Sequence, residues 1–216
     1  MNLSGTIKPY NLKTRLPIKA ELQRKAIHLL MALLLLVLYQ SFSRPVIIGF
    51  FIALSVLAGL FEWLRIHSNP LALALQKKFS FLMRQEELAS TGNRIHFVGA
   101  TWVLWSLALL IILFPKNIVI ACYIMFLIGD AMAAVIGKWI GRHFWPGSQK
   151  TVEGSLAFFV AGMMTMLLFP DTNFGIASLT VFFAAAAEIM DKPFNDNFRV
   201  PLLATTVYYI AGLLLL

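Results

Sequence analysis

Long apolar runs alternate with connections of two different kinds, and this alternation constrains the fold more than any other feature of the chain. Seven mainly apolar stretches stand out: Lys25–Gln40, Pro45–Glu62, Ile95–Phe114, Asn117–Gly137, Gly154–Phe169, Phe174–Ile189 and Val200–Leu216. Each approaches the roughly 20 residues that a helix needs to cross a bilayer. Backbone in lipid must satisfy its own hydrogen bonds, so helix is the expected form. Three connections are tiny, at Ser41–Arg44, Pro115–Lys116 and Pro170–Asn173. The other three, Trp63–Arg94, Lys138–Glu153 and Met190–Arg199, are longer and charged. The expected fold is all-α: a polytopic membrane helical bundle of about seven transmembrane helices.

Sixteen of the 18 Lys and Arg fall on the side of the N-terminus, all but Arg44 and Lys116. The positive-inside rule then puts the N-terminus in the cytoplasm and the C-terminus on the opposite side. Residues 1–22 read as a basic cytoplasmic segment and 23–216 as a single membrane-embedded domain. Lys8, Lys13, Arg15, Lys19, Arg24 and Lys25 lead into the first apolar stretch, and no small-residue cleavage pattern follows. That helix is expected to stay as an anchor. A net charge of +8 would suit nucleic acid in a polar chain. Here the mean hydropathy is +0.78, so anionic headgroups of the lipid bilayer are the expected partner, with no nucleic acid. The single cysteine, Cys122, lies in an apolar run, which leaves no disulfide framework and no CxxC metal site. Within Asn69–Leu88, Leu71, Leu75, Phe79 and Leu82 recur at helical spacing among Lys77, Lys78 and Arg84. This pattern predicts one amphipathic helix lying along the interface.

The acids segregate as well. Glu21, Glu62, Glu86, Glu87, Asp130, Glu153, Glu188, Asp191 and Asp196 lie on or near the N-terminal side, and only Asp171 does not. Positive-inside accounts for the bases, but no topological rule requires the acids to join them. A shared site does.

Asp130 leads the candidates, because an ionisable group within a spanning helix is costly to keep in lipid. Around it, Gly129, Ala133, Gly137 and Gly141 recur every four residues as a smooth face of the kind used for close helix packing. Asp130, Ala134 and Lys138 form a neighbouring stripe that sets a carboxylate and an ammonium on one side, suited to Mg²⁺ and phosphate or to a buried structural pair. The next loop brings Lys150 and Thr151 to the start of a helix at Glu153–Gly154–Ser155, where free amides suit a phosphate. The Walker A spacing is absent, which excludes a P-loop. A third cluster holds Glu188, Asp191, Asn195, Asp196, Asn197 and Arg199, of which one residue is needed to cap the last helix. At the front, Glu21, Arg24, Lys25 and His28 share a helical face, and Glu62 and Arg65 stand three apart at the end of the second stretch. His67, His96 and His143 are scattered, so a zinc site is not expected.

Taken in order, these pieces resemble the CTP-dependent lipid kinases, the family of dolichol kinase, phytol kinase and the fungal CTP-dependent diacylglycerol kinase. Gly129-Asp130-x-x-Ala133-x-x-x-Gly137-Lys138-x-x-Gly141, followed by Lys150-Thr151-x-Glu153-Gly154-Ser155, is similar to the family's core signature. Arg24-Lys25-x-x-His28 resembles its first helix, Glu62-x-x-Arg65 its second, and Asp196-Asn197-Phe-Arg199-Val-Pro201 its late segment. The resemblance runs from about Arg24 to Leu202. Ala32 departs from it where a glycine is common, and Asn195 where a second acid often precedes Asp-Asn.

The resemblance implies transfer of the γ-phosphate of CTP to a membrane lipid alcohol, with an isoprenoid alcohol favoured over diacylglycerol and Mg²⁺ as cofactor. Such chemistry needs an in-line hydroxyl and neutralised phosphates, with little covalent help from the protein. In this reading Asp130 and Asp196 hold the metal. Lys138, Lys150, Thr151, Glu153, Gly154 and Asn197 serve the nucleotide and its phosphates. Glu62 and Glu188 orient or deprotonate the hydroxyl, and Arg24, Lys25, His28, Arg65 and Arg199 support them. The related CTP:lipid-phosphate cytidylyltransferases carry a late Lys-Arg…Lys-Asp signature, and this chain has no Lys-Arg pair. A small proton- or cation-coupled transporter would spread its charges through the bilayer depth, whereas these gather at one face.

Overall fold

A computed structural model describes residues 18–83, 85–88, 96–190 and 195–215 of the chain. Most of the basic N-terminal segment, Arg84, Arg94 and Asp191 lie outside the described residues, as do the side chains of Glu21 and His28. The described part is helical, and its one extended feature is an isolated bridge between Phe144 and Thr151. Its helices are α1 (Ile18–Ser41), α2 (Arg44–Ile66), α3 (Pro70–Phe79), α4 (Gln85–Leu88), α5 (Gly99–Leu113), α6 (Lys116–Trp139), α7 (Val152–Met166), α8 (Phe174–Ile189) and α9 (Asp196–Leu215).

Helices occupy all seven stretches that the sequence marks as spans. Three are long and apolar enough to cross a membrane: Leu22–Ser41 within α1, Arg44–Ile66 and Lys116–Trp139. Of the other four, α8 keeps the expected Phe174–Ile189 and α9 runs to 20 residues, while α5 is shorter than the expected Ile95–Phe114. At 15 residues in α5 and α7 and 16 in α8, a rise of about 1.5 Å per residue gives roughly 22–24 Å, less than the hydrocarbon core. α5 begins at Gly99 and not at Ile95, because the preceding amide of Val98 is held by Glu62 and that of Gly99 by Glu87.

Local chemistry sets the helix starts. Asn69 accepts from the amide of Leu71 at 3.0 Å, with Pro70 in the first turn of α3. Asn173 accepts from Ile176 at 2.9 Å to open α8. Asn195 accepts from the amide of Asn197 at 3.0 Å to open α9, the one cap that this helix needs from the cluster. α3 leaves Leu71, Leu75 and Phe79 exposed and turns Ala72 inward, but the single helix expected within Asn69–Leu88 is broken after Phe79 into a 3₁₀ turn, Ser80–Leu82, and the short α4.

α6 is the central element and packs on α1, α5, α7 and α9; α8 lies against α7 and α9, and α2 against α5. Leu107, Ile111, Cys122, Tyr123, Phe126, Phe158, Met166 and Val181 fill the core. The glycine face of α6 meets α7 at close range. A Cβ on Gly129 would stand 3.1 Å from the Phe158 ring, and one on Gly154 would stand 2.9 Å from the Ala133 carbonyl oxygen. This is the small-residue packing expected of such a face. The outer surfaces of α1 and α2 are apolar, with Leu30, Leu33, Val56, Leu57 and Leu60 exposed, as contact with lipid tails requires and contact with water penalises.

Candidate functional site

Turning Gly129, Gly137 and Gly141 toward α7 points Asp130 elsewhere, and the structure pairs it with Lys25 of α1. Both side chains are buried, at 4% and 8% exposure. The stripe along α6 sets Lys138 on the same side of the helix as Asp130, for Mg²⁺ and phosphate or for a structural pair. Lys138 is half-buried in the last turn of α6, about two turns beyond Asp130. A helix stripe fixes which residues share a face, but a partner from a distant helix is invisible to it. Arg24, beside Lys25, is also buried.

The loop from α6 to α7 is tightly built. The Ser148 amide donates to the Trp145 carbonyl at 3.1 Å, with Pro146 and a left-handed Gly147 (φ +72°) between them, the residue signature of a type II turn. The Trp145 amide donates to Lys150 at 3.0 Å and that of Val152 to His143 at 2.8 Å. His143 Nδ1 lies 2.7 Å from Glu153 Oε1, and the Trp145 indole donates to Ser155 Oγ at 3.0 Å. Thr151 caps α7 by accepting from the Gly154 amide at 3.1 Å and wedges against Gly137 and Gly141. The amide that the sequence offered to phosphate is thus engaged by its own cap.

This loop holds Lys150 against two acids from other helices. Its ammonium donates to Glu188 Oε1 at the end of α8, and lies 3.4 Å from Asp196 Oδ2 at the start of α9. Burial opposes the charge on Lys150, but the carboxylates of Asp196, Glu188 and Asp130 outweigh it and push its pKa above the ordinary lysine value. The lysine stays cationic and 27% exposed, while Glu188 is 4% exposed. Glu188 Oε2 is buried with no hydrogen-bond partner among the described residues. A buried carboxylate oxygen left unpaired is unfavourable unless something is to meet it there.

A second network adjoins the first through Asn197. Glu62 is 1% exposed and saturated: Oε1 accepts from the Val98 amide at 2.6 Å and Thr101 Oγ1 at 2.9 Å, and Oε2 from Arg65 Nε at 2.8 Å and Nη2 at 2.7 Å. Arg65 also donates to the carbonyls of Glu87 (2.9 Å) and His96 (2.6 Å). Glu87 accepts from the Gly99 amide at 3.1 Å, and the Asn197 side chain donates to the Gly99 carbonyl at 3.2 Å. Ser106 Oγ donates to the Asn197 carbonyl at 2.9 Å. Two carboxylates thereby meet the positive N-terminus of α5. Arg199 spends its guanidinium on the carbonyls of Ala187, at 2.9–3.1 Å, and Met190, which closes the C-terminus of α8. Glu62, Arg65 and Arg199 therefore act as framework beside the Lys150 cluster. The sequence marks Glu87 only as one acid among those of its side, and gives no signal for Thr101 or Ser106.

The two basic exceptions to the charge asymmetry sit at the opposite end. Arg44 donates to the carbonyls of Ile111, Ile112 and Phe114 at 3.1–3.2 Å, and Lys116 to that of Tyr39. Asp171 accepts from Asn117 at 2.9 Å there, beside a groove of about 610 Å³ that Tyr208 and Tyr209 also line.

Among the described residues no group of three or more His, Cys, Asp or Glu is placed to hold a metal ion by itself. Mg²⁺ commonly takes one or two carboxylates and completes its shell with phosphate and water. Asp196 and Asp130, both near enough to Lys150 to hold it cationic, would supply those carboxylates for a metal that arrives with a nucleotide.

No known family model matches the chain, and no solved structure does. An uncharacterized protein of Rickettsia prowazekii, RP860, is 31% identical over 140 residues, which is 60% of this chain and 66% of that protein. The dolichol kinase of Saccharomyces cerevisiae is 51% identical over 41 residues, 19% of this chain and 8% of the yeast protein. The match thus spans just under two thirds of the first relative and a small part of the second. Similarity to a lipid kinase is short and partial, and it accompanies an all-helical fold with apolar helices long enough to span a membrane.

Proposed function

We propose that this protein is a seven-span membrane kinase that transfers the γ-phosphate of CTP to the hydroxyl of a lipid alcohol, an isoprenoid alcohol in preference to diacylglycerol, at the cytoplasmic face. The observation that carries the reading is the convergence of Lys150, Glu188 and Asp196, from one loop and two helices, with the Lys25–Asp130 pair close enough to act on Lys150. The short match to yeast dolichol kinase supports it. So does the gathering of these groups at one end of the bundle, which suits a soluble nucleotide meeting a lipid headgroup better than it suits ion passage.

In this reading the lipid enters sideways from the inner leaflet and its hydroxyl oxygen attacks the γ-phosphorus. The bond to the β–γ bridging oxygen breaks, CDP leaves, and the hydroxyl proton passes to a carboxylate. Glu188 takes that role, because its Oε2 is unpaired while Glu62 has every lone pair in use. Lys150 and Lys138 neutralise phosphate oxygens, and Asp196 and Asn197 line the nucleotide end. Asp130 and Asp196 are the carboxylates for Mg²⁺, which when bound shields the phosphate charge. The test is purified protein with Mg²⁺, labelled CTP or ATP, and a panel of lipid alcohols. Lipid monophosphate with CDP is the expected result; pyrophosphate with a CDP-lipid would identify a cytidylyltransferase, and no turnover of either nucleotide would end the kinase reading.

A further inference from the structure

We infer that Glu87 is a positioning residue for this site: it holds the start of α9 through Gly99 and Asn197, and thereby sets Asp196 against Lys150. The inference rests on the function proposed above and adds to it a residue from the segment between α3 and α5.

Glu87 is 5% exposed, though it belongs to a four-residue helix on a long connection. A buried carboxylate at such a place needs a reason, and its bonds supply one. Arg65, itself locked to Glu62, grips the Glu87 backbone carbonyl at 2.9 Å, so the residue is fixed at its main chain. Its Oε1 then takes the Gly99 amide at 3.1 Å, and the carbonyl of the same Gly99 takes the Asn197 side chain at 3.2 Å. Ser106 seizes Asn197 from the other side, through its main-chain carbonyl at 2.9 Å. Asn197 is 2% exposed and follows Asp196 directly, and the Asn197 amide bonds to Asp196 Oδ1 at 3.0 Å while Oδ2 faces Lys150. Position therefore passes from the α2 end through Glu87 and Gly99 to a carboxylate of the reacting cluster.

Gly99 shows how closely this joint is fitted. A Cβ there would lie 3.0 Å from Asn197 Nδ2 and 3.3 Å from Glu87 Oε1, the two atoms that the relay connects. A methyl group at this point pushes both partners at once. The bonds described connect Glu87 to Asp196 through Gly99 and Asn197, which makes its role one of position.

The experiment uses the full chain in nanodiscs, with wild type, Glu87→Ala, Glu87→Gln and Gly99→Ala. Two quantities are read: kcat and KM for CTP and lipid alcohol, and amide hydrogen exchange over the first turn of α9. Glu87→Ala should lower kcat by about tenfold to a hundredfold, the scale of a small misplacement of reacting groups, with KM for the lipid alcohol unchanged. Exchange at 196–199 should quicken. Glu87→Gln keeps an oxygen for the Gly99 amide and should stay within about threefold of wild type. Gly99→Ala should reproduce the alanine variant at Glu87, and stands in for it if that protein does not fold. Unchanged kcat and exchange in Glu87→Ala overturn the inference. So does a Gln variant as impaired as the Ala variant, since charge and not the bond would then matter. A wild type without phosphotransfer sinks the proposed function instead, and the exchange comparison alone then decides whether Glu87 positions α9.

Discussion

The Lys25–Asp130 pair offers the sharpest separation of framework from chemistry. At 4% and 8% exposure neither charge has water to fall back on, so removing one partner takes from the other its nearest opposite charge. Breaking such a pair typically destabilises by about 3–5 kcal/mol. Asp130→Asn keeps the shape and an oxygen that can still accept from Lys25, which places it near the lower figure. At roughly 2–4 °C per kcal/mol for a chain of this size, about 3 kcal/mol lowers the melting temperature by some 6–12 °C. A Lys25→Met, Asp130→Asn double variant removes both charges together, so most of that loss should return. Turnover behaves differently if Asp130 serves the nucleotide. It should fall at least about a hundredfold, or 2.7 kcal/mol of transition-state stabilisation, in the single variant and stay down in the double. Melting and labelled-CTP turnover are measured on one preparation. A double variant that is both stable and active would show that the pair only holds α1 to α6, and Asp130 would leave the mechanism.

Replacing Lys150 with Ala removes the cation that bridges Glu188 and Asp196, and turnover should fall at least about a hundredfold, with Lys150→Arg recovering part of it. Because its pKa is raised, Lys150 contributes its full stability below the unfolded lysine value and loses it only as pH climbs through the folded one. Melting temperatures between about pH 6 and 9 should therefore show no step from this residue. Gly154→Ala drives a methyl group against the Ala133 carbonyl oxygen at 2.9 Å and should destabilise by about 1–3 kcal/mol, while Gly49→Ala, which meets nothing within 4 Å, should melt like the parent. Cysteines placed at the exposed positions Gln149 and Pro170 should label from opposite sides of a membrane, with little background from buried Cys122. Labelling of both from one side would overturn the topology.

How far the sequence could be read depended on whether a feature was local. Apolar runs set the helices at all seven places, and the four-residue glycine repeat gave the α6–α7 contact, because both follow from spacing along one chain. Helix length was less legible. α5 starts late because Glu62 and Glu87 satisfy the amides that a longer helix would have satisfied itself, and nothing near Ile95 announces that. Partners across the bundle were hidden for the same reason: Asp130 and Lys25 are 105 residues apart, and the stripe on α6 pointed to Lys138.

Glu62 and Glu188 make the limit concrete, since both are acids near the C-terminal end of an apolar helix and look alike in sequence. The structure separates them by counting lone pairs. Glu62 is enclosed by the donors of Arg65, Val98 and Thr101, which occupy both its oxygens and leave it nothing to offer a substrate. Glu188 shares one oxygen with Lys150 and keeps the other buried and unmet. The same accounting explains Arg44 and Lys116, the two exceptions to the charge asymmetry. Each is bound to carbonyls at a helix end, where the backbone dipole favours a cation, so they serve the fold where the other bases serve the charged face. An acid whose bonds are complete belongs to the scaffold, and an acid with one oxygen still unpaired in a buried cluster is where a reaction has room to occur. On that criterion Glu188 is the carboxylate to mutate first: Glu188→Gln preserves the contact with Lys150 but cannot accept a proton, and should abolish turnover while the protein melts nearly as before.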